Sequence, residues 1–209
     1  NSPENNHVYL DTIISPSYTS AIAQAIQIPG IAGMENNMVI FEFDKENPAE
    51  LEDIVDNFNL VNAGNFDVCI LAASRKPVLK RNGIHVWIKS NDEENANLMI
   101  LLSFIISGHP DWKKGNIKIF DICKKEEEGA VKKRMDELVQ SGRLPITQQN
   151  IEIIIREDDT PSKSLINKYS ADAGFTIIGF REESLKNREE ELFFGYEELG
   201  DILFVNSHN

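Results

Sequence analysis

This sequence has few cysteines and no long apolar run, the features that are typical of disulfide-rich proteins and of membrane-spanning proteins. The 209 residues include two cysteines, Cys69 and Cys123, each within or at the end of an apolar run, and no C-x-x-C pattern. We therefore expect two buried, reduced thiols and neither a disulfide framework nor a zinc site. No run approaches the ~20 apolar residues of a membrane-spanning helix, so we expect no direct insertion into lipid by these residues.

Motifs for phosphate binding and catalysis are also absent. There is no G-x-G-x-x-G and no Walker loop, and the pair Gly30/Gly33 lacks the later glycine that a nucleotide loop of this kind needs. His85 alternates within an apolar strand beside Trp87, so it is interpreted as a packed or surface strand residue and not as a base, and no Ser-His-Asp set can be proposed. The carboxylates in 152–159 lack the spacing and turn glycine of a cation loop. We expect no enzyme activity, no cofactor and no metal.

A basic surface is the next absence. The chain has 34 acidic and 21 basic residues, a net charge of −13. Binding to nucleic acid or to an anionic lipid surface requires clustered Lys and Arg, so neither is expected. Hydrophobic residues make up 41% of the chain and charged residues 26%, as in ordinary globular domains. The sequence starts Asn1-Ser2-Pro3 without Met, which suggests part of a longer polypeptide.

Strand and helix signals alternate along the whole chain, which predicts an α/β fold: a mostly parallel sheet with helices on both faces. The acid-rich stretch 181–200 is interpreted as a connection before a last short strand. Regular β-α order from Gly83 onward predicts two units, an incomplete first one (1–82) and a second one (83–209). The predicted strands are Val8–Ile14, Met38–Phe43, Phe66–Ala72, Gly83–Lys89, Ile117–Ile122, Ile151–Ile155, Phe175–Phe180 and Ile202–Val205. The main predicted helices start at Ser15 and at Asn47 and span 90–107, Lys124–Gln140 and Ser162–Ala173.

The helix predicted for 90–107 is apolar on nearly every side. Ser90 and Glu93 fit a capping box, and Gly108 stops the helix. Such a helix is either covered on all sides at the centre of the sheet, or leaves one side free for another subunit. The candidate contacts for a partner are Leu98, Leu101, Phe104, Ile105 and Trp112.

Two segments carry a resemblance to a known family. The stretches IPGIAGMENNMVIFEF (28–43) and GIHVWIKSNDEENANLMILLSFIISGHPDWKKGNIKIF (83–120) resemble, in the same order, two blocks of the cytosolic C-terminal domain of cation-chloride cotransporters. This family includes the Na-K-Cl cotransporters of the amino acid-polyamine-organocation superfamily. Ala32 and Glu35 stand where that family has Gly and a basic residue, and Trp87 is a single Trp where it has two. These differences indicate a distant, prokaryotic-type member of the family or a broader relative among the amino-acid permeases.

The resemblance implies a universal-stress-protein-like fold and a non-catalytic role at the cytoplasmic face of the cell membrane. It implies a homodimer that contacts the transmembrane part and intracellular loops of its own transporter and regulates transport of cations and chloride. The alternative is a soluble universal-stress-type protein that binds a nucleotide or small molecule. A hydrolase or transferase of the α/β class would need motifs that this sequence lacks.

Overall fold

The computed structural model describes residues 10–30, 35–89, 93–140, 146–157 and 160–208. Its strands are β1 (Met38–Asp44), β2 (Asp67–Ala73), β3 (Ile84–Lys89), β4 (Ile117–Cys123), β5 (Ile151–Ile155), β6 (Phe175–Gly179) and β7 (Ile202–Asn206). Its α-helices are α1 (Tyr18–Ala25), α2 (Leu51–Asn62), α3 (Glu93–Ser107), α4 (Glu128–Gln140), α5 (Ser162–Ser170) and α6 (Glu182–Arg188).

The strands form one seven-stranded sheet in the order β1-β2-β7-β6-β3-β4-β5. Neighbouring strands are parallel except β2 and β7, which pair antiparallel from Val68↔Asn206 to Ala72↔Ile202. This confirms the predicted α/β class with a mostly parallel sheet. The sheet is continuous across the predicted unit boundary at 82/83, and its strand direction reverses at the β2–β7 pair. The division of the chain into 1–82 and 83–209 stays a prediction.

Helices cover both faces of the sheet, as predicted. On one side, called face A, α1, α2, α5, α6 and the 3₁₀ turn Glu189–Phe193 pack on Phe41, Ile70, Trp87 and Phe204. On the other, face B, α3 and α4 pack on Val86, Ile119, Ile177 and Leu203. Side chains alternate between the two faces along each strand, so the central strands are buried on both sides.

The predicted first strand is wrong over the part that the structure describes. Residues 10–14 are not in a strand, and Leu10 and Ile14 are 92% and 93% exposed; 8 and 9 lie outside the described residues. An apolar, strand-like sequence forms a strand only where a neighbouring strand supplies hydrogen bonds, and none of the seven described strands lies beside this segment. The predicted helix start at Asn47 is early: α2 starts at Leu51, after a turn in which Asn47 N–H donates to Asp44 O.

Three other predictions differ in detail. The predicted helix Lys124–Gln140 begins as the 3₁₀ turn Lys125–Glu127, and α5 ends at Ser170, three residues before the predicted end. The connection 181–200 contains α6 and buries apolar side chains in the face A core. These side chains are Leu185, Leu192, Phe193, Tyr196 and Leu199.

Candidate functional site

Helix α3 lies on face B, where it contacts β3, β4, β6 and β7. The residues that face the sheet are fully or almost fully buried: Ala96, Met99, Ile100 and Ser103. At its end, Gly108 N–H donates to Phe104 O at 3.0 Å, as the predicted glycine stop requires; the predicted capping box at Ser90 lies outside the described residues. Within the part of the chain that the structure describes, no helix has the length and apolar character needed to cross a membrane.

The outward side of α3 is apolar. Leu101 is 47% and Ile105 is 63% exposed, and Leu98, half-buried, lies one turn before Leu101 on the same side. We call Leu98, Leu101 and Ile105 the α3 ridge. Among the described residues this side of α3 is exposed, and the alternative that another subunit covers it stays a prediction.

The other two candidate contacts lie apart from the ridge. Phe104 is half-buried against the face B core. Trp112, in the 3₁₀ turn after α3, is half-buried and packs edge-on against Phe175, with 6.2 Å between ring centroids. The structure therefore brings three of the five predicted contact residues onto one outward side, and the assignment of all five to a partner interface stays a prediction.

A second apolar surface on face B has no counterpart in the sequence-based predictions. Helix α2 packs on β1 and β2 from face A, but on face B Ile40 is 60% exposed and Met38 and Leu71 are half-buried. We call Met38, Ile40 and Leu71 the β1–β2 recess. The one available signal was the unbroken apolar run at Met38–Phe41, which is typical of a strand covered on both faces.

The carboxyl ends of β3 and β6 form the position where ligands bind in open α/β sheets, because the crossovers change faces there. α3 and α4 cross on face B, whereas α5 and α6 cross on face A. At this position Asn95 Nδ2 donates to Phe180 O at 2.8 Å, and its Oδ1 accepts from Ser207 N–H at 2.6 Å. Asn206 Nδ2 also donates to Phe180 O. These polar groups thus tie α3 to the ends of β6 and β7.

Acidic loops follow the strands, and basic side chains neutralise part of their charge. After β1, Arg75 donates to Asp44 at 2.9 Å, and this hydrogen bond lowers the pKa of Asp44 to about 2. After β4, Arg134 pairs with Asp121, whose side chain is fully buried. Neither arrangement presents the bare N–H groups that hold a phosphate.

Lys45 occupies a ring of backbone oxygens before β7. Its Nζ donates to the carbonyls of Tyr196, Leu199 and Gly200 at 3.0, 2.8 and 3.2 Å. Burial, and secondarily the charge of Lys76, lower the pKa of Lys45. The lysine therefore fastens the carboxyl end of β1 to the segment that leads into β7.

His85 is a packed strand residue, as predicted. It is buried on face A, lies 2.8 Å through Nδ1 from Ser170 Oγ, and packs against Phe120. Burial lowers its pKa to about 4. A neutral imidazole without access to solvent has no route to a substrate, so this pair is structural.

The thiols and carboxylates show no metal-binding arrangement among the described residues. Cys69 and Cys123 are free and buried, as predicted, and burial raises the pKa of the Cys69 thiol to about 12. Within the described ranges no three His, Cys, Asp or Glu side chains come together as metal ligands would. Asp158 and Asp159 of the acidic stretch, and most of the loop between Gly30 and Gly33, lie outside those ranges.

Comparisons with known proteins bear on the fold. No protein-family model matches the sequence, and no curated protein matches it either. The cytoplasmic domain of a prokaryotic cation chloride cotransporter has a similar structure, with a TM-score of 0.59 at 13% identity over 91% of this chain and 69% of that one. A functionally unknown protein from Pseudomonas aeruginosa PAO1 matches at a TM-score of 0.48 and 17% identity, over 91% of this chain and 68% of that one. A structure described as a universal stress protein, from Pseudomonas aeruginosa UCBPP-PA14, matches at a TM-score of 0.44 and 18% identity. That match covers 80% of this chain and 62% of the other. At these identities the likeness concerns the fold alone.

Proposed function

We propose that this chain is a non-catalytic regulatory and dimerisation domain at the cytoplasmic face of a membrane transporter for cations and chloride. The observation that carries the proposal is the α3 ridge. Exposed apolar side chains in contiguous patches mark interaction sites, and Leu101 and Ile105 lie side by side on a helix of the domain. A partner that covers them removes apolar surface from water.

The fold adds a second line of support. The cytoplasmic domain of a prokaryotic cation chloride cotransporter matches at a TM-score of 0.59, and the two sequence blocks at 28–43 and 83–120 resemble the same family. A shared fold does not by itself carry function across. The transporter role therefore rests on the sequence blocks and the ridge together.

The proposed mechanism is mechanical. A sheet with helices on both faces moves as a rigid body, because its packed core does not deform continuously. Such a body, paired with its twin and in contact with the intracellular loops of the transporter, favours one arrangement of the transmembrane part over another. Its regulatory effect equals the difference in contact free energy between those arrangements.

Light scattering of the purified chain over a concentration series tests the dimer. We expect a dimer that is weakened by Leu101→Glu, because a carboxylate would be buried at the contact. Leu79→Glu is the matched control, since Leu79 is 50% exposed and lies outside α3 and the β1–β2 recess, in the segment before β3. A strict monomer at high concentration, or equal effects of the two variants, contradicts the dimerisation role.

The transporter assignment needs its own test. The reading frame upstream of Asn1 should encode about ten hydrophobic segments, each long enough to span a bilayer. Flux of chloride through the full-length product should change with Leu101→Glu and be unaffected by Leu79→Glu. A start codon directly before Asn1 contradicts the assignment, whatever the oligomeric state.

A second candidate function is binding of a nucleotide or small molecule. It is favoured by the strand order β5-β4-β3-β6-β7, which has the crossover arrangement of doubly wound nucleotide-binding folds. Against it, the polar groups of Asn95 and Asn206 are engaged with Phe180 at the relevant edge. A rise in melting temperature with ATP, lost in Asn95→Leu, would support this candidate over the first.

A further inference from the structure

The α3 ridge and the β1–β2 recess lie next to each other on face B. Asn95 of α3 accepts a hydrogen bond from Ser207, directly after β7, and β7 is the neighbour of β2. The side of α3 that follows β7 therefore borders face B of β2 and β1, where Ile40 is 60% exposed and Leu71 is half-buried. Face B consists here of a protruding apolar helix beside a lower apolar area.

The strands on the two sides of the β2–β7 pair correspond to each other. β6 and β7 are parallel neighbours joined through face A, and so are β1 and β2, which run in the opposite direction. A local two-fold axis normal to the sheet relates the two pairs. α3 covers β6 and β7 on face B, so the same symmetry assigns a helix like α3 to the recess.

We propose that the recess holds the α3 ridge of a second copy of this chain, and that the contact is reciprocal. This inference rests on the homodimer of the proposed function and specifies its surface. A two-fold dimer needs a patch that is complementary to itself. A ridge beside a recess has that property, because each copy can insert its ridge into the recess of the other.

Charge favours a second copy as the occupant. Each chain carries a net charge of −13, so two copies repel each other wherever charged faces meet. No charged residue occurs between Asn95 and Gly108, and none between Met38 and Phe41. The ridge and the recess themselves thus bring no like charges together when two such chains approach; Glu42 and Asp67, the register partner of Met38, lie at the rim of the recess.

Disulfide trapping between variants with one added cysteine each tests the geometry. Ile40→Cys lies in the recess and Ile105→Cys on the ridge, and both positions are exposed, whereas the native Cys69 and Cys123 are buried. The two variants are mixed under reducing conditions to exchange subunits and are then oxidised. A disulfide requires Cα atoms within ~7 Å of each other, so the mixture should give about tenfold more covalent dimer than either variant alone. Leu79→Cys mixed with Ile105→Cys is the control.

Each other outcome overturns the inference. Covalent dimer from Ile40→Cys alone indicates pairing of β1 edges, and covalent dimer from Ile105→Cys alone indicates a ridge-to-ridge contact. A dimer in light scattering without the mixed disulfide leaves the dimerisation role in place but moves it to another surface. A monomer in light scattering contradicts both the inference and the dimerisation role.

Discussion

Trp87 donates its indole N–H to the hydroxyl oxygen of Ser170 at 2.8 Å, and the same oxygen lies 2.8 Å from Nδ1 of His85. An indole nitrogen can only donate, so the hydroxyl proton of Ser170 is free to point at His85. Nδ1 of the neutral ring accepts this proton in one tautomer of His85 and donates to the Ser170 oxygen in the other. One hydroxyl on α5 thus ties two strand residues of β3 to the helix above them.

We expect this arrangement to make the fold sensitive to acid. The pKa of His85 falls from 6.5 to about 4 on folding. Because the folded pKa is lowered, the unfolded chain binds the proton first as the pH falls. His85 leaves the free energy of unfolding unchanged above pH 6.5 and lowers it progressively between pH 6.5 and about 4. Below that pH the loss due to His85 is about 3 kcal/mol. Urea unfolding at a series of pH values measures the slope.

The matched comparison is His85→Gln, which cannot titrate. It should be less stable at pH 7, since the ring packing on Phe120 is lost, but its stability should fall less between pH 6.5 and 4. Parallel curves for the two proteins would show that His85 is not the titrating group. NMR titration of the ring protons gives the pKa directly.

The central strands were predictable because burial on both faces requires mostly apolar residues, many of them β-branched. The predicted Phe66–Ala72 and Ile117–Ile122 are each within one residue of β2 and β4 at both ends. The segment Leu10–Ile14 has a similar apolar content and forms no strand. A strand is defined by its neighbour, and the sequence of one segment does not say which neighbour it has.

The candidate site was predictable in part for the same reason. Leu101 and Ile105 stand out because they lie on a helix with more apolar residues than one sheet face can cover. Ile40 and Leu71 were missed because their exposure depends on which helices lie over β1 and β2. The carbonyl partners of Lys45 were also missed, since they lie 151 to 155 residues away in the sequence.

The buried pair between Arg134 and Asp121 should be important for stability. Arg134→Met removes one ionic partner from a carboxylate whose side chain is fully buried, and we expect a loss of about 2 kcal/mol. Lys133→Met is the control. Lys133 Nζ lies 3.7 Å from Glu137 Oε1 on the same helix, and the two side chains are 79% and 64% exposed. Exposed pairs of this kind contribute about 0.5 kcal/mol. Chemical denaturation compares the two. Adding Asp121→Asn to Arg134→Met should recover part of the loss, and equal losses from the two single variants would contradict the prediction.

Lys45→Met should loosen the segment that leads into β7. The substitution keeps most of the side chain but removes the hydrogen-bond donor to the carbonyls of Tyr196, Leu199 and Gly200. Hydrogen bonds from a charged group contribute ~2 kcal/mol each in gross terms, and we expect a net loss of about 2 kcal/mol. Lys76→Met is the control, since Lys76 is exposed and donates to Glu197 and Glu198 carbonyls. In Lys45→Met the backbone amides of 196–201 should exchange their hydrogens faster, and those of β4 should exchange at the same rate as before. Equal acceleration of exchange in both segments would indicate global destabilisation instead.

Two glycines should respond in opposite directions to substitution by alanine. Gly83, with φ at +82°, precedes β3, and a Cβ atom there would lie 1.9 Å from the carbonyl oxygen of Asn116. Its own carbonyl accepts from Phe175 N–H, so a backbone shift at Gly83 also disturbs the start of β6. We expect Gly83→Ala to lower the free energy of unfolding by at least ~2 kcal/mol.

Gly129 lies in the first turn of α4, where a Cβ would meet no atom within 4 Å. Gly129→Ala should therefore stabilise the protein by about 0.5–1 kcal/mol, because alanine loses less backbone entropy in a helix. Urea midpoints of the two variants check both signs, and a stable Gly83→Ala protein would mean that the chain before β3 does not have this conformation.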